Sequence, residues 1–138
     1  MKGVAGCQLL TLRTHCDDRG GLAFVEGGRD LPFAIARVYY LWGMNSATER
    51  GGHAHKCLDQ LYIAVSGSFD VHLTDGTTER IVRLATPDQG LYLGHMVWRT
   101  LANFSPDAVC LVLASAPYLE ADYYRDKAAF LADVEAIP

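Results

Sequence analysis

A strand followed by a tight turn, near the middle of the chain, constrains the fold more than any other sequence feature. Apolar residues take every second position from 69 to 73, which is typical of a strand with one buried face. Asp75-Gly76 comes next, and this pair favours the two-residue turn of a β-hairpin. Residues 79–84 are the expected returning strand. The middle of the chain therefore predicts antiparallel sheet.

Short strands and Gly-rich turns continue over most of the sequence, and helical spacing is confined to its end. Tyr124, Ala128 and Leu131 recur at i, i+4 and i+7, and Asp122 is the predicted N-cap of this helix. Residues 45–52 are predicted to form a polar loop. The predicted strands are residues 9–12, 22–25, 35–42, 58–65, 69–73, 79–84, 90–93, 97–101 and 109–114. A series of short strands with one final helix favours a sandwich or a barrel.

Length and composition limit the possible function classes. The 138 residues are expected to form one domain, residues 1–138, and with half of them hydrophobic and a fifth charged they exclude a disordered chain. Twelve basic and 16 acidic side chains give a net charge of −4, which argues against a nucleic-acid or membrane-surface binder. The four cysteines contain no CxxC pair, so we expect reduced thiols and a cytoplasmic protein.

Two histidines that follow an Arg-Gly-Gly loop are the strongest candidates for chemistry. Side chains alternate between faces along an extended chain, so His53 and His55 are predicted to point the same way. Two imidazoles on the inner face of a small barrel can bind a metal or act as acid and base. They can also be ordinary buried histidines, and the pair by itself leaves these interpretations open.

Two glycine-containing segments resemble the two sequence motifs of the cupin superfamily. The first motif corresponds to Gly51 or Gly52, His53, His55, Gln60 and Gly67, and the second to residues 90–98. Together with the helical C-terminus, the resemblance implies an all-β cupin double-stranded β-helix, or jelly roll, with a short C-terminal α-helix and the ligand inside the barrel. Because this fold hosts many chemistries, the cupin resemblance does not define a function.

The residues at the usual cupin ligand positions argue against a metal centre. Cupins that bind a metal generally add a Glu and a second-motif His to the histidine pair. Gln60 and Arg99 stand at those positions here; an amide is a poor substitute for a carboxylate, and a guanidinium repels a cation. Asp59 and His95 are adjacent, and they would supply ligands if the register is shifted by one residue. We therefore expect neither a metal nor another cofactor.

A narrower resemblance covers nearly the whole chain. Its most specific string is residues 50–56, Arg-Gly-Gly-His-Ala-His-Lys, with Gln60 shortly after it. Further matching segments are residues 19–22, 31–33, 37–40, 67–68, 75–76, 90–92, 98, 104–105 and 113–115. These segments together resemble the nucleotide-sugar 3,4-ketoisomerases. The resemblance implies action on dTDP-4-keto-6-deoxy-D-glucose in the biosynthesis of dTDP-3-amino-3,6-dideoxyhexoses, without a metal or redox cofactor.

The same resemblance assigns roles to individual residues. It implies that His53 is the base that moves the proton, that His55 is its companion, and that Tyr39 contacts the reacting sugar. Arginine is suited to a diphosphate because its fork binds two oxygens at once. The predicted substrate-binding residues are Arg19, Arg37, Arg50, Gln60, Tyr92, Trp98 and Arg99, with Phe104 as a further candidate for the nucleobase wall. The other arginines, among them Arg125, are taken as ordinary surface residues.

The resemblance also implies a homodimer with exchanged N-terminal strands, so the partners we expect are the dTDP-sugar and a second copy of the chain. The Arg19-Gly20 pair favours the galacto configuration at C4 of the product. Three other functions stay open: a metal-dependent cupin such as a dioxygenase, a non-catalytic module that binds sugar nucleotides, and a 3,5-epimerase. Relatives carry His after the second-motif Trp, and Arg99 in that place is the main departure from the pattern.

Overall fold

The computed structural model describes residues 3–137, which contain twelve strands and one α-helix. The elements are β1 (Cys7–Thr11), β2 (Arg13–Asp17), β3 (Gly20–Phe24), β4 (Arg37–Leu41), β5 (Arg50–His55), β6 (Gln60–Ser66), β7 (Phe69–Thr74), β8 (Glu79–Leu84), β9 (Gln89–Leu93), β10 (Trp98–Ala102), β11 (Val109–Ala114), β12 (Tyr123–Tyr124) and α1 (Lys127–Glu135). A 3₁₀ turn, Glu120–Asp122, precedes β12.

Two five-stranded antiparallel sheets form the body of the protein. Their strand orders are β1-β9-β6-β11-β4 and β12-β5-β10-β7-β8. Alternate residues of both sheets point inward, so Phe69 and Val71 from one sheet pack in the same buried cluster as Leu91 and Val112 from the other. The predicted all-β jelly roll with one short C-terminal helix is confirmed. None of the helices within residues 3–137 is long and apolar enough to cross a membrane.

The start of the C-terminal helix differs from the prediction. The helix begins at Lys127 with Asp126 as its N-cap, whereas Tyr123 and Tyr124 pair with β5 as a short strand. Asp122 was predicted to cap the helix, and this prediction is wrong. Its carboxylate instead accepts hydrogen bonds from the backbone amides of Cys57 and Leu58, at 2.8 and 3.3 Å, and contacts His55.

Two further differences concern strands. Arg50–Gly52 belongs to β5, although residues 45–52 were predicted to be a loop. Strand β2 was not predicted, because both of its faces are polar and largely exposed and it therefore lacks the alternating pattern. Strands β2 and β3 form a hairpin that belongs to neither five-stranded sheet.

Gly67 fixes the tight connection between β6 and β7. Its φ is +63°, and a Cβ atom at this position would lie 2.8 Å from the Ala108 Cα, so a larger residue would force the loop apart. Beside this contact, the Ser105 backbone amide donates to the Ser68 carbonyl, and the Ser68 amide donates to the Ser105 hydroxyl, both at 2.9 Å. The turn thereby sets the start of β7 against the loop that leads into β11.

Candidate active site

Strand β5 presents two histidines to the interior of the barrel, as the sequence predicted. The rings of His53 and His55 lie 4.9 Å apart, centroid to centroid, and are nearly perpendicular. The Tyr123 ring from the short strand β12 lies 5.1 Å from His53 and 4.4 Å from His55. The C-terminal segment therefore closes over the histidine pair from one side.

A carboxylate orients His55. Its Nδ1 lies 3.0 Å from the Asp122 Oδ2, and His55 itself is fully buried. An ionised carboxylate only accepts hydrogen bonds, so the His55 Nδ1 carries the proton and the Nε2 of the neutral ring has its lone pair free. That Nε2 is buried and has no hydrogen-bond partner. Sequence reasoning missed the role of Asp122, because the two residues are 67 positions apart.

Burial keeps both histidines neutral. Desolvation first, then the positive charge of Arg99 and the neighbouring His55, lowers the pKa of His53 from 6.5 to about 3. Desolvation and Arg99 likewise lower the pKa of His55 to about 4, and Asp122 opposes this shift. Neither histidine therefore has a pKa near neutrality. Both imidazoles are nevertheless in the form that accepts a proton throughout the neutral range.

A buried polar network lies beside the histidines. The Gln60 Nε2 donates to the Tyr39 hydroxyl at 3.0 Å. The Gln60 Oε1 accepts from the Arg99 Nη1 at 2.5 Å and from the Tyr62 hydroxyl at 3.2 Å. Arg99 and Gln60 are fully buried, and Arg99 pairs across strands with His53. Burial raises the pKa of the Tyr39 hydroxyl, so Tyr39 stays protonated.

The mouth of the site is a cavity of about 470 Å³ with three arginines on its wall. Arg37 and Arg50 line it, as does Arg125, which stacks on the Tyr123 ring at 4.3 Å. Arg125 was predicted to be an ordinary surface residue; it is half exposed and paired with Glu120, and it also contributes to this wall. A mostly apolar cavity of about 360 Å³, lined in part by His55 and Tyr118, shares Arg37 and Tyr123 with the first one.

The structure brings together His53, His55, Tyr39, Gln60, Arg37 and Arg50, but it separates other predicted site residues from them. Tyr92 lies on the outer face of its sheet, packed with Phe33, and Trp98 packs against Phe130 on the outer side of the other sheet. Phe104 belongs to the buried core between the sheets. The placements of Tyr92 and Trp98 follow from strand alternation, whereas Phe104 lies in the loop between β10 and β11. All three aromatic rings lie away from the cavity.

Arg99 and Arg19 also differ from the expected direct contact with substrate. Arg99 is fully buried and is not part of the cavity lining, so it acts on the site through its hydrogen bond to Gln60 and through its charge. Arg19 lies at the turn of the β2–β3 hairpin, where its side chain is 86% exposed and paired with Asp17. Within one chain, Arg19 is not part of the cavity wall.

The donor set does not fit the metal centre that many cupins contain. The oxygen of Gln60, at the position of the usual carboxylate ligand, is already bonded to a guanidinium. Arg99 would place a positive charge beside any cation held by the histidine pair. Within residues 3–137, no group of three or more His, Cys, Asp or Glu side chains is arranged to hold a metal.

Acidification below about pH 6.5 is expected to destabilise the fold through the two histidines. The unfolded chain binds protons at their ordinary pKa of 6.5, whereas the folded protein binds them only near its lowered values of about 3 and 4. Stability is therefore complete above pH 6.5 and decreases as the pH falls toward the folded values. The expected loss is up to about 1.4 kcal/mol per pH unit for each histidine.

Denaturant titrations between about pH 7 and pH 4.5 measure this loss. The shifts on the described carboxylates lower their pKa values, so these groups act mainly below that window. The double variant His53→Asn/His55→Asn is the control and should show a clearly smaller dependence on pH. A wild-type free energy of unfolding that stays constant from about pH 6.5 to pH 5 would contradict the neutral, buried state of the pair.

Sequence comparison places this site in a known family. The family model for FdtA, described as WxcM-like, C-terminal, matches residues 5–135. A curated relative, the TDP-4-oxo-6-deoxy-alpha-D-glucose-3,4-oxoisomerase of Aneurinibacillus thermoaerophilus, is 40% identical over 118 residues, which are 86% of this chain and 85% of the relative.

Solved structures of 3,4-ketoisomerases are similar over almost the full length. A histidine-to-asparagine variant of QdtA from Thermoanaerobacterium thermosaccharolyticum, in complex with TDP-4-keto-6-deoxyglucose, matches with a TM-score of 0.95 and 35% identity, covering 98% of each chain. The WlaRB TDP-quinovose 3,4-ketoisomerase of Campylobacter jejuni matches with a TM-score of 0.90 and 43% identity, covering 94% of this chain and 99% of that one. The predicted resemblance is confirmed, and the chain belongs to the FdtA/WxcM-like family of sugar 3,4-ketoisomerases.

Proposed function

We propose that this chain is a dTDP-4-keto-6-deoxy-D-glucose 3,4-ketoisomerase, which moves the ketone from C4 to C3 without a metal. The observation that carries the proposal is a neutral, desolvated histidine, His53, which lines a cavity with three arginines in its wall and whose buried Nε2 has no hydrogen-bond partner among the described residues. A curated relative named for this activity is 40% identical to this chain. A second relative, whose structure contains TDP-4-keto-6-deoxyglucose, is 35% identical.

The chemistry requires one base and one site for negative charge. The C4 ketone acidifies the proton on C3, and His53 removes this proton through its Nε2. The electron pair forms an enediolate across C3 and C4, and the proton of the C3 hydroxyl passes to the C4 oxygen. The proton taken from C3, or one exchanged with solvent, then returns to C4, which leaves the ketone at C3. The imidazolium and the enediolate appear together, so their attraction offsets the burial that lowers the pKa of His53.

The remaining residues bind and orient the substrate. Tyr39 lies in the cavity wall and stays protonated, so it can donate a hydrogen bond to the oxygen that becomes charged. His55, held by Asp122, contacts the His53 ring and fixes its position. Arg37 and Arg50 are available for the diphosphate, because a guanidinium binds two phosphate oxygens at once, whereas Arg125 is already paired with Glu120.

Isomerisation of dTDP-4-keto-6-deoxyglucose in D₂O is the direct test, with the product identified by NMR. We expect a 3-keto product that carries deuterium at C4, because the shuttled proton exchanges with solvent while it is on the histidine. The coupling between H4 and H5 in H₂O reports the configuration at C4, for which the galacto form remains our prediction.

Other outcomes would replace the proposal. Deuterium at C5 with inversion there would identify a 3,5-epimerase, and dTDP binding without turnover would identify a binding module. Activity that requires stoichiometric iron, manganese or zinc would identify a metal-dependent cupin, and metal analysis of the purified protein distinguishes that reading.

The proposal extends to a homodimer in which the β2–β3 hairpin of one chain reaches the barrel of the other. The hairpin pairs with neither five-stranded sheet of its own chain, and Leu22 on it is 57% exposed. Val38 and Tyr40 are also exposed on the edge strand β4, and an open strand edge invites pairing with another chain. The four free thiols, Cys7, Cys16, Cys57 and Cys110, support a location in the reducing cytoplasm.

A further inference from the structure

The orientation of the Gln60 side-chain amide is determined by its neighbours. A guanidinium has only hydrogen-bond donors, and the Arg99 Nη1 lies 2.5 Å from the Gln60 Oε1. If the amide were turned over, its NH₂ group would face another donor at that distance inside a fully buried cluster. Arg99 therefore holds the oxygen of Gln60 toward itself and the NH₂ group toward Tyr39.

This orientation sets the direction of the next hydrogen bond. The Tyr39 hydroxyl accepts from the Gln60 Nε2 at 3.0 Å, so its own proton must point elsewhere. The Tyr39 proton can point toward the nearby hydroxyl of Tyr62 or into the cavity, whose wall includes both tyrosines. A carbonyl oxygen placed in that cavity would meet a hydroxyl that donates to it.

Arg99, the first residue in this chain of hydrogen bonds, is a buried positive charge without a carboxylate partner among the described residues. The hydrogen bonds that Arg99 makes within the described residues go to the Gln60 amide, the Tyr62 hydroxyl and the Val97 carbonyl, none of which is a carboxylate. A buried positive charge without a counterion is costly to a fold, and it favours negative charge nearby. An enediolate in the cavity would provide that negative charge.

We propose that Gln60, oriented by Arg99, is a positioning residue that makes the Tyr39 hydroxyl a hydrogen-bond donor to the sugar oxygen on which negative charge develops. The inference rests on the proposed ketoisomerase activity. Arg99, Gln60 and Tyr39 thereby stabilise the charged oxygen, a task that a cation performs in metal-containing barrels. No proton leaves Tyr39 in this step, because it only shares its hydrogen with the developing oxyanion.

Gln60→Glu is the decisive variant, since it keeps the shape of the side chain and reverses its role toward Tyr39. A carboxylate would pair with Arg99 and accept a hydrogen bond from the Tyr39 hydroxyl, so that Tyr39 would no longer donate to the substrate. We expect kcat to fall by about 10²-fold, the cost typical of losing one oxyanion donor. The dissociation constant of dTDP should change by less than about twofold, because the diphosphate arginines are untouched. Gln8→Glu, the same change at an exposed position of β1, is the matched control and should leave kcat unaltered.

A double-mutant cycle with Tyr39→Phe shows whether Gln60 acts through Tyr39. In the Tyr39→Phe background, Gln60→Glu should reduce kcat much less than in the wild-type background. The loss that remains there measures only the partial neutralisation of Arg99 by the new carboxylate. An equal loss of kcat in both backgrounds would overturn the proposal.

A measurement that does not depend on turnover separates this inference from the proposed function. In protein labelled with ¹³C at tyrosine Cζ, the Tyr39 resonance is the one missing from Tyr39→Phe. It should move downfield in Gln60→Glu, because a phenol that donates to a carboxylate gains phenolate character. It should stay in place in Gln8→Glu. An unmoved Tyr39 resonance in folded Gln60→Glu refutes the positioning role, whereas failure of the wild type to isomerise the keto sugar refutes only the function.

Discussion

Replacing His53 with Asn is expected to reduce kcat for the ketone shift by about 10²–10⁴-fold, the range that a well-placed general base contributes. Asparagine is smaller than the imidazole but polar, and it cannot take up a proton at neutral pH. The fold should persist, because His53 is only partly buried and its Nε2 has no hydrogen-bond partner to lose. Binding of dTDP should remain nearly unchanged, since the arginines of the cavity wall are untouched.

Three measurements define this result: kcat from product NMR, the dissociation constant of dTDP from calorimetry, and the melting temperature. His72→Asn is the matched control, because this histidine is exposed on β7 and should give wild-type values. His55→Asn should also lose activity, to a smaller degree, through the position of His53. A lower melting temperature with normal kinetics would show that His55 is purely structural, and near-wild-type turnover by His53→Asn would exclude the base assignment.

Local sequence patterns predicted the parts of the fold and site that depend on neighbouring residues. The period-two alternation found the hairpin of β7 and β8, and the same rule placed His53 and His55 on one face. The cupin spacing placed Gln60 beside this pair, at the first residue of β6.

The same rule of alternation, applied more strictly, would have placed Trp98 and Tyr92 on the outer faces of their sheets. Trp98 and Arg99 are consecutive residues of β10, so only one of them can point into the barrel. Leu91 and Leu93 both pack in the core, which sends Tyr92 to the outer face of β9. Both aromatic residues were candidates because a nucleobase needs an aromatic or apolar wall, and core packing explained them equally well.

Other site residues could not be found from local patterns. Asp122, Tyr123 and Arg125 lie about 70 positions after the histidines, and they reach the site only because β12 pairs with β5. The spacing of Tyr124, Ala128 and Leu131 predicted a helix through this region. Pairing with β5 and the hydrogen bonds to Asp122 instead hold residues 120–124 outside the helix.

Arg19 is expected to act in the active site of the partner subunit, which requires the protein to be a dimer. Arg19 belongs to the ligand-binding string of the family resemblance, yet its side chain lies at the turn of a hairpin outside both sheets and is 86% exposed. Exchange of the hairpin between two chains would carry Arg19 to the cavity of the partner subunit, and it would cover exposed apolar residues such as Leu22. Sedimentation equilibrium at micromolar concentration should therefore find a stable dimer, and a single species at the monomer mass of 15.1 kDa would contradict it.

Mixing two inactive variants should then restore activity. Arg19→Ala is expected to lose its contact with the diphosphate, and Arg29→Ala, a neighbouring exposed arginine paired with Glu26, is its active control. If Arg19 acts in the partner's barrel, each heterodimer of Arg19→Ala and His53→Asn contains one site with both substitutions and one with neither. Random exchange of subunits then makes about a quarter of all sites competent, from a start near zero. If each chain builds its own site, every site in the mixture carries one substitution, and activity stays at the level of the separate variants. A pull-down through a tag on one variant is the control that confirms that heterodimers have formed.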